Sequence, residues 1–174
     1  MLKSLFKPKP AVTAGRALYA RVVEQARTPA LYLDLGAPDT VEGRFEIYSL
    51  HVVLLLERLR GQGQAAADVS QALFDAYVKG LDDALRELGV GDMVVGKKMR
   101  KLGEAFYGRG KNYQAALDQL PDRAPLEAVM GRTVYAGVED RSRDLGDYVL
   151  AVRESLARNP LEALLQGQVD WRAA

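Results

Sequence analysis

The one histidine of the chain, His51, is the first residue to question for chemistry. An imidazole titrates nearest to neutral pH, so it serves proteins as a proton shuttle or a metal ligand. Either use needs company, in the form of further ligands or of a nucleophile and an orienting acid. The sequence offers no second histidine and no cysteine. That removes histidine metal clusters, thiolate nucleophiles, cysteine-ligated zinc, iron-sulfur clusters and disulfides together. His51 stands next to Val52, which the helical register turns inward, and it reads as a hydrogen-bonded structural residue. Carboxylates add little. Asp82-Asp83 and Glu139-Asp140 fall on helix surfaces or starts, where solvation and the helix dipole account for them. The Glu-x-x-His pattern of di-iron bundles is absent. Gly91, Gly96 and Lys97 follow the spacing of a phosphate loop, but Lys98 stands where that loop needs Ser or Thr, and its context is helical. No catalytic residue, metal or cofactor is expected.

Recognition is a better prospect than reaction. The chain as a whole is nearly neutral, with 24 basic and 23 acidic residues, so an electrostatic partner has to be read from local clusters. One cluster stands out. Between Val95 and Tyr113, VGKKMRKLGEAFYGRGKNY, the cations Lys97, Lys98, Arg100, Lys101, Arg109 and Lys111 face a single acid, Glu104. Phe106 and Tyr107 lie among Gly103, Gly108 and Gly110, so exposed backbone, aromatic surface and positive field would coincide. The plain alternative is a solvated helix face. A patch of this kind receives a protein segment, an anionic lipid or RNA phosphate, and charge alone does not choose among them.

The elements that would hold such a patch are helices. In DTVEGRFEIYSLHVVLLLERLR, residues 39 to 60, apolar side chains recur at steps of three and four from Val41 to Leu59. Leu50, Val53, Leu54 and Leu56 widen that stripe until the middle is apolar nearly all round, which places this helix inside a core. Val52 to Leu56 is far too short to cross a bilayer, which takes about 18 to 20 apolar residues. Around it the spacing predicts helices from Thr13 to Arg27, from Ala30 to Leu35, from Ala65 to Leu88 with Gly89 as terminator, and from Asp92 to Leu120. The last of these is expected to bend or break near Gly108 to Gly110. Further helices are predicted from Leu126 to Tyr135 and from Asp140 to Arg158, with a short turn after Pro160. The fold class is all-α, a single-domain bundle of six to eight helices around the buried helix at 40–60. Residues 1–10, with Leu2, Leu5, Phe6, Lys3, Lys7 and Lys9, read as a flexible tail able to make a weak contact with an anionic membrane surface. Residues 11–168 form the helical domain, and 169–174 read as a C-terminal tail. With no secretory signal in the sequence, the expected compartment is the cytoplasm.

Three ordered blocks, residues 39 to 60, 71 to 92 (QALFDAYVKGLDDALRELGVGD) and 95 to 113, resemble the ubiquinol-cytochrome c chaperone family in its bacterial form. The likeness extends over about residues 11 to 160. It implies a non-enzymatic helical assembly factor, which holds newly made cytochrome b while the bc1 respiratory complex is built. Mitochondrial members act with a small partner protein near the ribosomal tunnel exit, so a ribosome contact and a peripheral place at the inner membrane are also implied. DNA is not an expected partner. Within the likeness, Asp39, Gly43, Arg44, Phe45 and His51 fall in the central block and are expected to be architectural, with Asp39 as a cap, Gly43 as a close helix contact and Arg44 as an ion-pair donor. Gly96, Lys97, Lys98, Arg100, Lys101, Phe106, Tyr107, Gly108 and Arg109 are the expected client-binding surface, the basic rim of a groove between helices. The competing readings are a peripheral lipid-binding protein and a ribosome- or RNA-associated helical protein.

Overall fold

Proline and glycine punctuate the chain into eight helices, described here in a computed structural model over residues 9–172. Pro10 opens α1 (Pro10–Ala26) three residues earlier than Thr13, because proline at the first helical position gives up a backbone N–H that has no partner there. Pro29 opens the short α2 (Pro29–Leu33) in the same way. The central helix α3 (Val41–Leu59) starts after Thr40, whose Oγ1 accepts the Gly43 N–H at 3.1 Å. Thr40 is therefore the cap, and Asp39 instead accepts from Arg44 Nε at 2.6 Å.

The helices α4 (Gln64–Glu87) and α5 (Asp92–Leu117) form a long antiparallel hairpin. At its turn Val90 N–H donates to Leu85 O and Gly89, with φ of 80°, takes the left-handed conformation that a side chain resists. The chain finishes with α6 (Ala124–Thr133), α7 (Ser142–Arg158) and α8 (Leu161–Leu165). No helix among the described residues is long and apolar enough to cross a membrane.

The core forms around α3, as its apolar width predicts. Ile47, Leu50, Val52, Leu54, Leu55 and Leu59 are buried there together with Leu18, Leu73, Leu126 and Val149 from the surrounding helices. Val41, at the start of the predicted stripe, is exposed, and Phe45 and Tyr48 are half-buried. The helix therefore enters the core from its rim. Two glycines set how closely its neighbours approach. A Cβ on Gly15 of α1 would sit 2.5 Å from the Ala72 backbone of α4, so the two helices touch there backbone to backbone. A Cβ on Gly43 would lie 2.0 Å from the Pro38 carbonyl oxygen. Its close neighbour is thus the incoming turn, not another helix.

Two expectations change. The helix α5 runs unbroken through Gly108 and Gly110. Burial of Phe106, Tyr113 and Leu117 on its inner side outweighs a penalty of about 1 kcal/mol for each glycine. The segment after 168 is not a tail up to Arg172: Val169 and Trp171 are buried in the core. Asn159 fastens it, accepting the Asp170 N–H at 2.8 Å and donating to the Asp170 carbonyl at 2.9 Å. The membrane contact expected of residues 1–10 falls mainly on residues 1–8, which lie outside the described residues, as do 173 and 174.

Candidate functional site

On a helix of 3.6 residues per turn, residues three, four and seven apart share a side. In α5 this puts Val95, Phe106 and Tyr113 on one side, and all three are buried. Lys97, Arg100, Lys101, Tyr107, Gly108 and Lys111 fall on the other side and Lys98 on its flank, and all of them are exposed. None of these five lysines and arginines forms an ion pair with a carboxylate among the described residues. The backbone is open at Gly96 and Gly108, where an added Cβ would meet nothing within 4 Å. The result is a positively charged strip along the outer side of one helix.

The structure divides the expected binding residues. Phe106 is only 4% exposed and belongs to the core. Arg109 turns inward to α3 and clasps Glu46 with Nη2–Oε1 at 2.7 Å and Nε within 3.1 and 3.2 Å of both oxygens. The Glu46 side chain is 8% exposed, so Arg109 neutralises a carboxylate that the core has taken out of water. That hydrogen bond also raises the Arg109 pKa and keeps the guanidinium charged. Phe106 and Arg109 therefore hold the strip in place and are not part of its surface. Tyr107, by contrast, is 68% exposed.

Tyr107 has a partner that the sequence did not reveal. Its ring lies 5.8 Å from Phe74 on α4, and Phe74 lies 5.4 Å from Phe106, which lies 5.0 Å from Tyr77. Such tilted and edge contacts favour aromatic pairs beyond the area they bury. The ladder runs from the buried Tyr77 outward to the solvent-facing Tyr107, so an exposed aromatic is braced on the core. The signal for Phe74 was its place in α4, between the inward Leu73 and Tyr77. Reading it required knowing which helix lies beside α5.

The architectural set behaves as a set. Arg44 is held by Asp39 and also lies over the Tyr32 ring, 5.5 Å from its centre. Phe45 packs at the edge of the core. His51 is fully buried. Its Nδ1 lies 2.8 Å from the Ile47 carbonyl, which can only accept, so Nδ1 carries the proton and Nε2 accepts from the Tyr148 hydroxyl at 2.6 Å. The Tyr148 hydroxyl in turn accepts from Gln25 Nε2 at 3.0 Å. Burial pushes the His51 pKa down to about 4 and that of Tyr148 up to about 12, so both are neutral near pH 7. Trp171 packs edge-on against the His51 ring, 5.4 Å between centres.

Two of the clefts among the described residues lie away from α5. One cleft of about 820 Å³ lies between α1 and the C-terminal segment, lined by Gln25, Asn159, Val169 and Trp171 among others. Another of about 730 Å³ lies between α3 and α7, beside Glu57, Arg58 and Arg153. Arg153 is bound to Glu57 at 2.7 Å and Arg58 to the Leu156 and Asn159 carbonyls at 2.9 Å, so two of its cations are already occupied. The chemistry available to the α5 strip is adhesion: aromatic contact, cation contact and an open backbone.

Comparison with known proteins follows the same line. A family model described as ubiquinol-cytochrome C chaperone matches residues 33–171. Ubiquinol-cytochrome c reductase complex assembly factor 1 of Mus musculus is 26% identical over 163 residues, which cover 91% of this chain and 55% of the relative. The Homo sapiens protein of the same name is also 26% identical over 163 residues, 91% of this chain and 54% of the relative. The chain thus spans about half the length of these curated relatives. The crystal structure of the Cbp3 homolog from Brucella abortus matches with a TM-score of 0.84 at 36% identity, over 99% of this chain and 97% of that one.

Proposed function

The chain belongs to the ubiquinol-cytochrome C chaperone family, and from that premise we propose that it binds newly made cytochrome b and supports assembly of the ubiquinol-cytochrome c reductase complex. Membership points to work done by binding, with no bond made or broken. The α5 strip is the contact surface in this reading, with Tyr107 as its anchor, Lys97, Lys98, Arg100 and Lys101 as its charged border, and Gly96 and Gly108 as places where a client backbone comes close.

The observation that carries this assignment is the exposed Tyr107 braced on Phe74 and Phe106. An aromatic already immobilised on its free surface gives up little conformational entropy on binding, which is what makes such residues dominate interfaces. The unpaired cations around it speed encounter and suppress basic partners. An unassembled membrane protein offers a counterpart to both, in apolar segments joined by polar loops.

Reversing Lys97, Lys98 and Lys101 to Glu is expected to leave the far-ultraviolet circular dichroism intact while lowering capture of cytochrome b in a detergent pull-down. Tyr107→Ala is expected to lower it further, by about 2 kcal/mol or more if the ring is a hot spot. Undiminished capture by both variants would remove this surface from consideration. Deleting the protein and finding normal levels of assembled reductase complex would remove the function itself.

A further inference from the structure

The turn between α4 and α5 carries three exposed aliphatic side chains, and nothing in the proposed client-binding strip uses them. Met93 is 99% exposed, Leu88 61% and Val94 49%. Val78 and Leu81 are the last residues of α4 packed against the core, and from Asp82 to Val94 no residue is buried, so the tip of the hairpin projects beyond it. We propose that the tip docks on an anionic bilayer, with Leu88, Met93 and Val94 entering the acyl boundary and Lys97, Lys98, Arg100 and Lys101 meeting the lipid phosphates.

Apolar and charged side chains are layered along the hairpin axis. At 1.5 Å per residue, Lys97 lies about 6 Å and Lys101 about 12 Å behind Met93 along the helix axis. Amphipathic segments at a membrane surface bury their apolar part about 5 to 10 Å deep, which sets these cations at phosphate level when the apolar tip is inserted. The acids nearby are mostly engaged within the hairpin. Arg86 pairs with both Asp82 and Asp92, and Lys79 pairs with Asp83 at 2.6 Å. Glu87 and Glu104 are left to oppose the four unpaired cations.

A membrane suits the tip better than the other partners a basic surface attracts. Three apolar residues at a turn fall well short of the roughly 800 Å² that each partner buries in a stable protein interface. RNA phosphate would use the cations but would leave Met93 and Val94 with nothing to bind. This inference does not depend on cytochrome b being the client.

The test uses the full chain with vesicles of phosphatidylcholine alone and of phosphatidylcholine mixed equally with phosphatidylglycerol. Co-sedimentation is expected with the mixed vesicles only, and it should fall as salt is raised. Neutralising Lys97, Lys98 and Lys101 to Gln is expected to weaken partitioning roughly fivefold per cation, on the order of 100-fold together. The triple variant Leu88→Ser, Met93→Ser, Val94→Ser should abolish it, with the helical signal and the emission of the buried Trp171 unchanged. In Met93→Trp, emission from the new indole should shift to the blue when mixed vesicles are added. Loss of binding only on neutralising Lys3, Lys7 and Lys9, or a Met93→Trp spectrum that does not move, would overturn the proposal. So would sedimentation with ribosomes in place of vesicles. The serine variant should still capture cytochrome b in detergent, so failure of either reading leaves the other standing.

Discussion

His51 shows how a residue that invites a chemical role is instead sealed into the architecture. Its ring is fully buried and neutral, with Ile47 and Tyr148 satisfying both nitrogens. Because its folded pKa of about 4 lies below the ordinary 6.5, the unfolded chain takes up a proton between those values and the folded chain does not. Stability from this group is complete above pH 6.5 and is lost as pH falls toward 4, by about 1.4 kcal/mol for each pH unit crossed. Urea denaturation of wild type and His51→Gln across that range is expected to show the gap between them narrowing as pH falls. Arg109 makes the same point about charge. Arg109→Ala leaves Glu46 buried without a partner and is expected to cost about 3 to 5 kcal/mol, whereas Lys97→Ala on the solvent side should change stability by less than about 0.5 kcal/mol. Equal effects on the urea midpoint would contradict the division drawn between the two cations. In the linear sequence they are members of one basic run. Their difference comes from a carboxylate 63 positions away, which no local pattern announces.

Among the elements, α3 and the hairpin were legible for opposite reasons. The helix α3 is apolar nearly all round, so its burial follows whatever packs against it. The hairpin was legible through its punctuation, with Gly89 ending α4 in the left-handed turn that was expected of it. The glycines inside α5 were misleading, since propensity argued for a break and packing decided otherwise. This yields a prediction at the level of the helix. Gly103 has open space where a Cβ would stand, so Gly103→Ala is expected to stabilise the protein by about 0.5 to 1 kcal/mol. Gly15→Ala, with Ala72 backbone 2.5 Å from the new Cβ, is expected to destabilise it, because neither backbone can step aside without separating α1 from α4. Thermal melts of the two variants should move in opposite directions.

For the molecule as a whole, the C-terminal segment acts as a closure. The single Ser155 hydroxyl proton is shared between the Arg172 carbonyl at 2.7 Å and the Asp170 carbonyl at 3.0 Å, and Asn159 binds Asp170 in both senses. These bonds hold Trp171 against His51, where α3, α7 and the end of the chain meet. Trp171→Ala is expected to cost about 3 to 5 kcal/mol, read by circular dichroism in urea because the sole tryptophan is gone. A shift well below that would mean the closure is peripheral to stability. With the core shut at that end, the surfaces proposed for binding lie on the hairpin, on the outer side of α5 and at the α4–α5 turn.

What the sequence determined by itself was the kind of protein. The three-and-four spacing gave an all-helical fold, and the ordered blocks at residues 39 to 60, 71 to 92 and 95 to 113 gave the likeness to a family, because each of these is carried by residues close together in the chain. What the tertiary structure decided was which members of that run face water. Neighbouring residues on a helix point about 100° apart, so Phe106 and Arg109 were drawn into the core by α3 and α4 while Tyr107 and the lysines were left outside. The same holds for Phe74 and Trp171. Their roles depend on rings and carbonyls brought close by folding, and a distance across the core is not written in the spacing of one helix.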